Sequence, residues 1–201
     1  MERVIKEHTF FDELFNDEIV VIDLGACKGE FVNELGNFFK IKKAILVEAN
    51  PTNFKMLHNK ENYVLYNKAI SNISNQTIDF YEDTNSPYNG SKVFNYFNGV
   101  KHQIETISLD DIIKENNITH IDILKIDIEG SEYDIMPKIK DETYSIIKQI
   151  TIEFHDFIDV ELKLKTKNII DKLELLGFSR ISKPITYMNN SENYDVLFYK
   201  K

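Results

Sequence analysis

Several acidic residues and one histidine stand where short apolar runs end. Asp23 follows Ile19–Ile22, Glu48 follows Ala44–Val47, Asp127 and Glu129 follow Ile121–Ile126, and Glu153 and His155 flank Phe154. Each alone reads as a solvated turn. Their repetition is the signal, because buried parallel strands bring their carboxyl ends to one edge of a sheet, where open α/β sheets bind ligands. Carboxylates there can accept hydrogen bonds from hydroxyls, and a histidine can exchange protons near neutral pH. Asp127, Glu129, Glu153 and His155 also form a hard-donor set of which two or three suffice for Mg²⁺. The sequence leaves that metal open.

The element that orders this set is Ile19–Phe31, IVVIDLGACKGEF. An apolar run leads into Asp23, and Gly25 and Gly29 bracket a tight turn into a helical pattern. Glycines at such a turn let backbone approach a ligand. The run is not G-x-G-x-x-G, since Cys27 stands at the second position, nor a phosphate loop, since no Gly-Lys-Ser/Thr follows. Glu48 lies about 20 residues past the turn at the next strand end, the spacing at which a carboxylate takes both hydroxyls of a ribose.

Apolar spacing in residues 3–16 predicts short helices, so that 1–17 forms a helical cap. Phe31, Leu35, Phe38 and Phe39 give a helical stripe. Strands are expected at Ala44–Val47, Tyr63–Ile70, Thr77–Tyr81, Ile104–Leu109, Ile121–Ile126, Ile150–Phe154, Phe178–Ile181 and Val196–Tyr199. Pro51 suits the first turn of a helix capped by Asn50. Further helices fit Asp110–Lys114, residues 131–147 broken near Pro137, and 159–176 stopped by Gly177. Residues 83–106 read as a loop on the acceptor side, rich in turn formers with Tyr88, Phe94, Tyr96 and Phe97. The alternation predicts an α/β three-layer sandwich with a mostly parallel, seven-stranded, Rossmann-like sheet. The short last connection makes the final strand antiparallel.

With 201 residues, 42% of them hydrophobic, the chain suits one domain, 1–201. Its formal charge of -9 without a basic cluster argues against nucleic acid as partner. No apolar run reaches membrane-spanning length, and one cysteine fits a reducing cytoplasm. Oligomeric state is not legible.

DLGACKG at 23–29, VEANP at 47–51, NKAIS at 67–71, ISLDD at 107–111, LKIDIEGSE at 124–132 and IEFH at 152–155 resemble, in this order, the FkbM-type methyltransferases. The resemblance implies the class I methyltransferase fold, S-adenosyl-L-methionine as cofactor, and methyl transfer to a hydroxyl of a saccharide, glycoconjugate or other small molecule. It implies that Asp23, Gly25, Ala26 and Gly29 hold the methionine part of the cofactor. Glu48, Ala49 and Asn50 would hold the ribose, Ala69 and Ile70 would flank the adenine, and Asp127 would sit at the transfer site. The family usually carries Asn where this chain has Cys27. His155 is the first expected base and Asp127 the second. Two rival readings remain: a non-catalytic S-adenosylmethionine-binding module, and a nucleotide-dependent oxidoreductase with an altered glycine loop.

Overall fold

The computed structural model describes residues 1–83, 90–91, 99–157, 159–185 and 191–201. In chain order the strands are β1 (Glu2–Ile5), β2 (His8–Phe11), β3 (Glu18–Leu24), β4 (Lys40–Val47), β5 (Tyr63–Tyr66), β6 (Ala69–Ile70), β7 (Thr77–Glu82), β8 (Gly90–Ser91), β9 (Val100–Ile107), β10 (Ile121–Ile126), β11 (Ile147–Glu153), β12 (Ser179–Ile185) and β13 (Ser191–Tyr199). The α-helices are α1 (Glu30–Leu35), α2 (Pro51–Phe54), α3 (Leu109–Glu115), α4 (Glu132–Ile135), α5 (Asp141–Ser145) and α6 (Leu162–Leu175).

The central sheet has the order β12-β13-β11-β10-β3-β4-β5. Its pairs are parallel from β11 to β5, and β13 runs antiparallel to both β11 and β12. Alternation along the strands builds two cores. Ile22, Leu24, Ile45 and Val47 face a layer contributed by α3, α4, α5 and α6. Val21, Ala44 and Leu46 face Phe31, Val32 and Leu35 of α1. This is the expected three-layer α/β sandwich with its last strand antiparallel. The strands β6, β9, β7 and β8 form a smaller sheet beside it. Among the described residues no helix is long and apolar enough to cross a membrane.

Local chemistry explains the helix starts. Asn50 Oδ1 accepts from the amides of Thr52 and Asn53, with Pro51 at the first helical position, and Ser108 Oγ accepts from Asp111 N. Helix α1 is shorter than its apolar stripe suggests. It ends at Leu35, and Phe39 instead meets Phe15 with ring centroids 5.0 Å apart.

Residues 1–17 correct the expectation of a helical cap. They form an antiparallel hairpin of β1 and β2, followed by a single 3-10 turn at Asp12–Leu14. The hairpin turns through Lys6 and Glu7, whose φ values are 49° and 70°. Such turns usually carry Asn or Gly, so nothing in the composition announces this one. Phe10 enters the α1-side core, and Gln149 of β11 ties β2 down. Its Oε1 accepts from Phe11 N at 2.8 Å and its Nε2 donates to Phe11 O at 3.0 Å. The loop expected over 83–106 ends earlier, because β9 begins at Val100 and pairs with β7. Its aromatic stretch, Tyr88–Phe97, lies outside the described residues apart from Gly90–Ser91.

Candidate active site

The turn after β3 is built around close backbone contact. Gly25 has φ +82°, and a Cβ there would overlap the carbonyl oxygen of Asp127. Gly29, at φ +75°, starts α1 and packs against Leu57 and Leu46. Between them Cys27 also takes a positive φ of 49°. Glu48 holds this turn from the neighbouring strand end. Its Oε2 accepts from Cys27 N at 2.6 Å and its Oε1 from Asn50 N at 2.7 Å. Each carboxylate oxygen keeps a second lone pair for a ligand hydroxyl. Burial pushes the Glu48 carboxyl up to about 7, and the same effect pushes the Cys27 thiol up to about 11, which keeps it protonated.

Glu48, Ala49 and Asn50 line a cleft with Gly25, Cys27, Lys68, Ala69, Ile70 and Phe80. Asp127 and Glu129 close its other side. Asn50 is 2% exposed, and its Nδ2 has no hydrogen-bond partner among the described residues. A buried orphan donor in a cleft wall is costly unless a ligand satisfies it. Apolar walls from Ala69, Ile70 and Phe80, an unpaired donor and a carboxylate with spare lone pairs fit an adenosine.

A second cleft adjoins the first and shares Cys27 and Asp127 with it; Lys6, His8, Phe31, Lys125 and Glu153 also line it. Lys125 knits the junction together from within β10. Its Nζ donates to Gly25 O at 2.6 Å and lies 3.2 Å from Asp23 Oδ1 and 3.5 Å from Asp127 Oδ2. Asp23 is fully buried, and burial raises its carboxyl. Burial opposes the charge on Asp127 as well, but Lys125, His8 and His155 together outweigh it and hold that carboxyl well below the usual range.

Behind the junction His155 sits in a nest of carboxylates. Its Nδ1 lies 3.3 Å from Glu132 Oε1, and its Nε2 lies 3.4 Å from Glu129 Oε2 and 3.8 Å from Glu153 Oε1. Burial alone would lower the imidazolium, yet Glu132, Glu129 and Asp127 push it up to about 10. In this chain without ligand His155 therefore holds a proton instead of taking one. Burial pushes Glu129 and Glu153 up to about 7.

The residues singled out by sequence separate into groups. Gly25, Glu48, Ala49, Asn50, Ala69, Ile70 and Asp127 line the first cleft. Ala26 lines only the second, Gly29 packs behind the turn, and Asp23 lies beneath it, paired with Lys125. His155, 3% exposed, lines neither cleft. Lys125, Phe80 and His8 escaped the sequence reading. Lys125 carried a legible signal, a basic residue inside a mostly apolar run. His8 carried none.

The sequence matches the Methyltransferase FkbM domain over residues 23–180. It is similar to 31-O-demethyl-FK506 methyltransferase FkbM of Streptomyces tacrolimicus, 39% identical over 56 residues, covering 27% of this chain and 22% of that protein. It is also similar to AMB antimetabolite synthetase AmbE of Pseudomonas aeruginosa, 27% identical over 94 residues, covering 47% of this chain and 4% of that protein. The chain thus spans a small part of each of these relatives. Its fold is similar to the crystal structure of Methyltransferase FkbM from Methylobacillus flagellatus KT, with TM-score 0.55 and 17% identity over 92% of this chain and 44% of that one. It also resembles a precorrin-6y C5,15-methyltransferase from Geobacter metallireducens GS-15, with TM-score 0.50 and 12% identity over 93% of this chain and 82% of that one.

Proposed function

Because the chain belongs to the FkbM methyltransferase family, we propose that it transfers a methyl group from S-adenosylmethionine to a hydroxyl oxygen, on a saccharide, glycoconjugate or related small molecule. The observation that carries the cofactor assignment is the first cleft, where Glu48 and Asn50, whose buried Nδ2 has no hydrogen-bond partner among the described residues, line a space walled by Ala69, Ile70 and Phe80. Oxygen as the acceptor atom is supported by the Streptomyces relative, whose name gives an O-demethyl compound as its substrate.

Bound S-adenosylmethionine supplies a methyl group on a positively charged sulfur, which is released as neutral S-adenosylhomocysteine when the methyl leaves. The protein's own task is positioning. Glu48 and Asn50 would anchor the nucleoside end, and Gly25 lets the turn close against the Asp127 carbonyl. Asp127 lines both clefts, so its carboxylate stands where donor and acceptor meet. There it accepts a hydrogen bond from the acceptor hydroxyl. It takes the proton as the new carbon–oxygen bond forms, because a methylated oxonium is a far stronger acid than any carboxylic acid. A low-lying carboxyl is therefore no obstacle. His155 acts through Glu129 and Glu132 as a positioning residue that balances their charge.

The test is calorimetric titration with S-adenosylhomocysteine, with NADH as control, followed by a panel of hydroxyl acceptors. Micromolar binding of the first ligand alone supports the cofactor assignment. NADH binding favours an oxidoreductase, and S-adenosylhomocysteine binding without turnover across the panel favours a non-catalytic module.

A further inference from the structure

The N-terminal hairpin does more than cover the sheet, because it carries His8 into the junction of the two clefts. His8 is 3% exposed, and its ring packs edge-on against Phe31 with centroids 5.6 Å apart. Its Nδ1 lies 3.5 Å from Thr151 Oγ1. The Thr151 hydroxyl donates in turn to Asp195 Oδ1 at 3.5 Å, and Thr9 Oγ1 donates to Asp195 Oδ2 at 2.6 Å. In the tautomer with the proton on Nδ1, the Thr151 oxygen accepts from His8 and Nε2 presents its lone pair to the junction.

There Nε2 faces Asp127 Oδ2 across 3.9 Å. The gap is too long for a hydrogen bond, and in that tautomer it sets two ligand atoms on either side of a space that an ion can take. Two metal–ligand bonds of about 2.0–2.2 Å span such a gap. Glu153 completes the set: one ligand atom from each of His8, Asp127 and Glu153 lies within 4.8 Å of the others. These residues come from β2 and from the ends of β10 and β11, all held by the central sheet or by the hairpin docked on it. A histidine whose other nitrogen is fixed by a hydroxyl–carboxylate chain is the usual setting of a metal-binding imidazole.

We propose that His8, Asp127 and Glu153 bind one divalent transition ion such as Mn²⁺ at the junction. The nitrogen ligand favours such an ion over Mg²⁺, which prefers oxygen donors and retains waters. The neighbouring group Asp127, Glu129 and His155 has similar spacing but is set aside, because carboxylates face both ring nitrogens of His155 and leave no lone pair for a metal. Lys125 shares Asp127 Oδ2 at 3.5 Å, but its ammonium is also held by Gly25 O and Asp23, and Asp127 keeps its second oxygen. The ion's open positions face the second cleft. Its role there, binding the acceptor hydroxyl, rests on the methyltransferase reading; the binding of the ion does not.

The test is Mn²⁺ binding to the purified chain, read by loss of the free-ion electron paramagnetic resonance signal and by pulsed-resonance coupling to a ligand nitrogen. The expected result is one site preferring Mn²⁺ to Mg²⁺, with ¹⁴N coupling. Glu153→Gln and His8→Gln should each weaken it by ~10-fold or more, and Glu129→Gln should leave it within about threefold. Absence of binding at ~1 mM Mn²⁺, binding without ¹⁴N coupling, or affinity unchanged in Glu153→Gln overturns the proposal. The nitrogen coupling keeps the test decisive if His8→Gln does not fold. S-adenosylhomocysteine titration on the same sample separates the two failures: cofactor binding without Mn²⁺ binding removes only the metal site.

Discussion

Glu48 Oε2 accepts the backbone N–H of Cys27 at 2.6 Å, so the carboxylate that closes β4 also fixes the glycine turn that follows β3. One side chain thereby serves the shape of the cleft and its chemistry. Glu48→Ala removes both, and S-adenosylhomocysteine binding should weaken by about 1–3 kcal/mol, the usual cost of a lost charge-assisted hydrogen bond. Glu48→Gln should fall between, since an amide offers one oxygen where the carboxylate offers two. Calorimetry decides this, and an unchanged affinity in the alanine variant would remove the ribose assignment.

The same residue sets a pH dependence. Burial raises the Glu48 carboxyl to about 7, while ribose hydroxyls donate to its ionised form. Cofactor binding should therefore expel the proton, and affinity should drop as pH falls below about 7, approaching tenfold per unit at most. For the ligand-free chain the sign reverses. A carboxyl raised above its unfolded value contributes stability at low pH, and this is lost as pH rises from about 4.5 to about 7. Titrations in buffers of different ionisation enthalpy at pH 6.5 should show proton release in the native chain and less in Glu48→Gln.

Much of this arrangement was legible because it is local. Apolar runs with buried faces on both sides gave β3, β4, β10 and β11, and the acids at their ends lie on one sheet edge. What stayed hidden depends on distant pairing. Lys125 lies opposite Asp23 in the parallel register of β10 and β3, a neighbour that the spacing of the two residues in the chain does not reveal. His8 reaches the junction through a turn of Lys6 and Glu7, residue types that rarely adopt positive φ. The charge state of His155 was hidden for a related reason: it is set by Glu132 and Glu129, brought beside it from another segment.

Cys27 takes a left-handed backbone conformation that Asn tolerates better than other side chains. Cys27→Asn should raise stability by about 0.5–1 kcal/mol and retain cofactor binding. Denaturant melts with and without S-adenosylhomocysteine would check this. A loss of stability would mean that contacts of the thiol outweigh the backbone preference.

Gly25 is the opposite case, since its conformation and its surroundings both exclude a side chain. Gly25→Ala would strain the backbone at φ +82° and drive a methyl group into the Asp127 carbonyl. A stability loss of about 2–4 kcal/mol is expected, with cofactor binding reduced further. A near-native melt would show that the β3 and β10 ends can separate at little cost.

Lys125 provides the sharpest test of what holds the junction together. Its side chain is almost fully buried, with Asp23 beneath it and Asp127 beside it. Lys125→Met leaves Asp23 buried without its counter-charge and should cost about 3–5 kcal/mol of stability. If that cost is the stranded charge and not lost packing, Lys125→Met combined with Asp23→Asn should recover a large part of it, because the neutral amide no longer needs the ammonium. Additive losses in the double variant would mean that the bond from Lys125 Nζ to Gly25 O is what the fold requires. In that case, shaping of the glycine turn, and not charge balance, is the reason for a lysine inside β10.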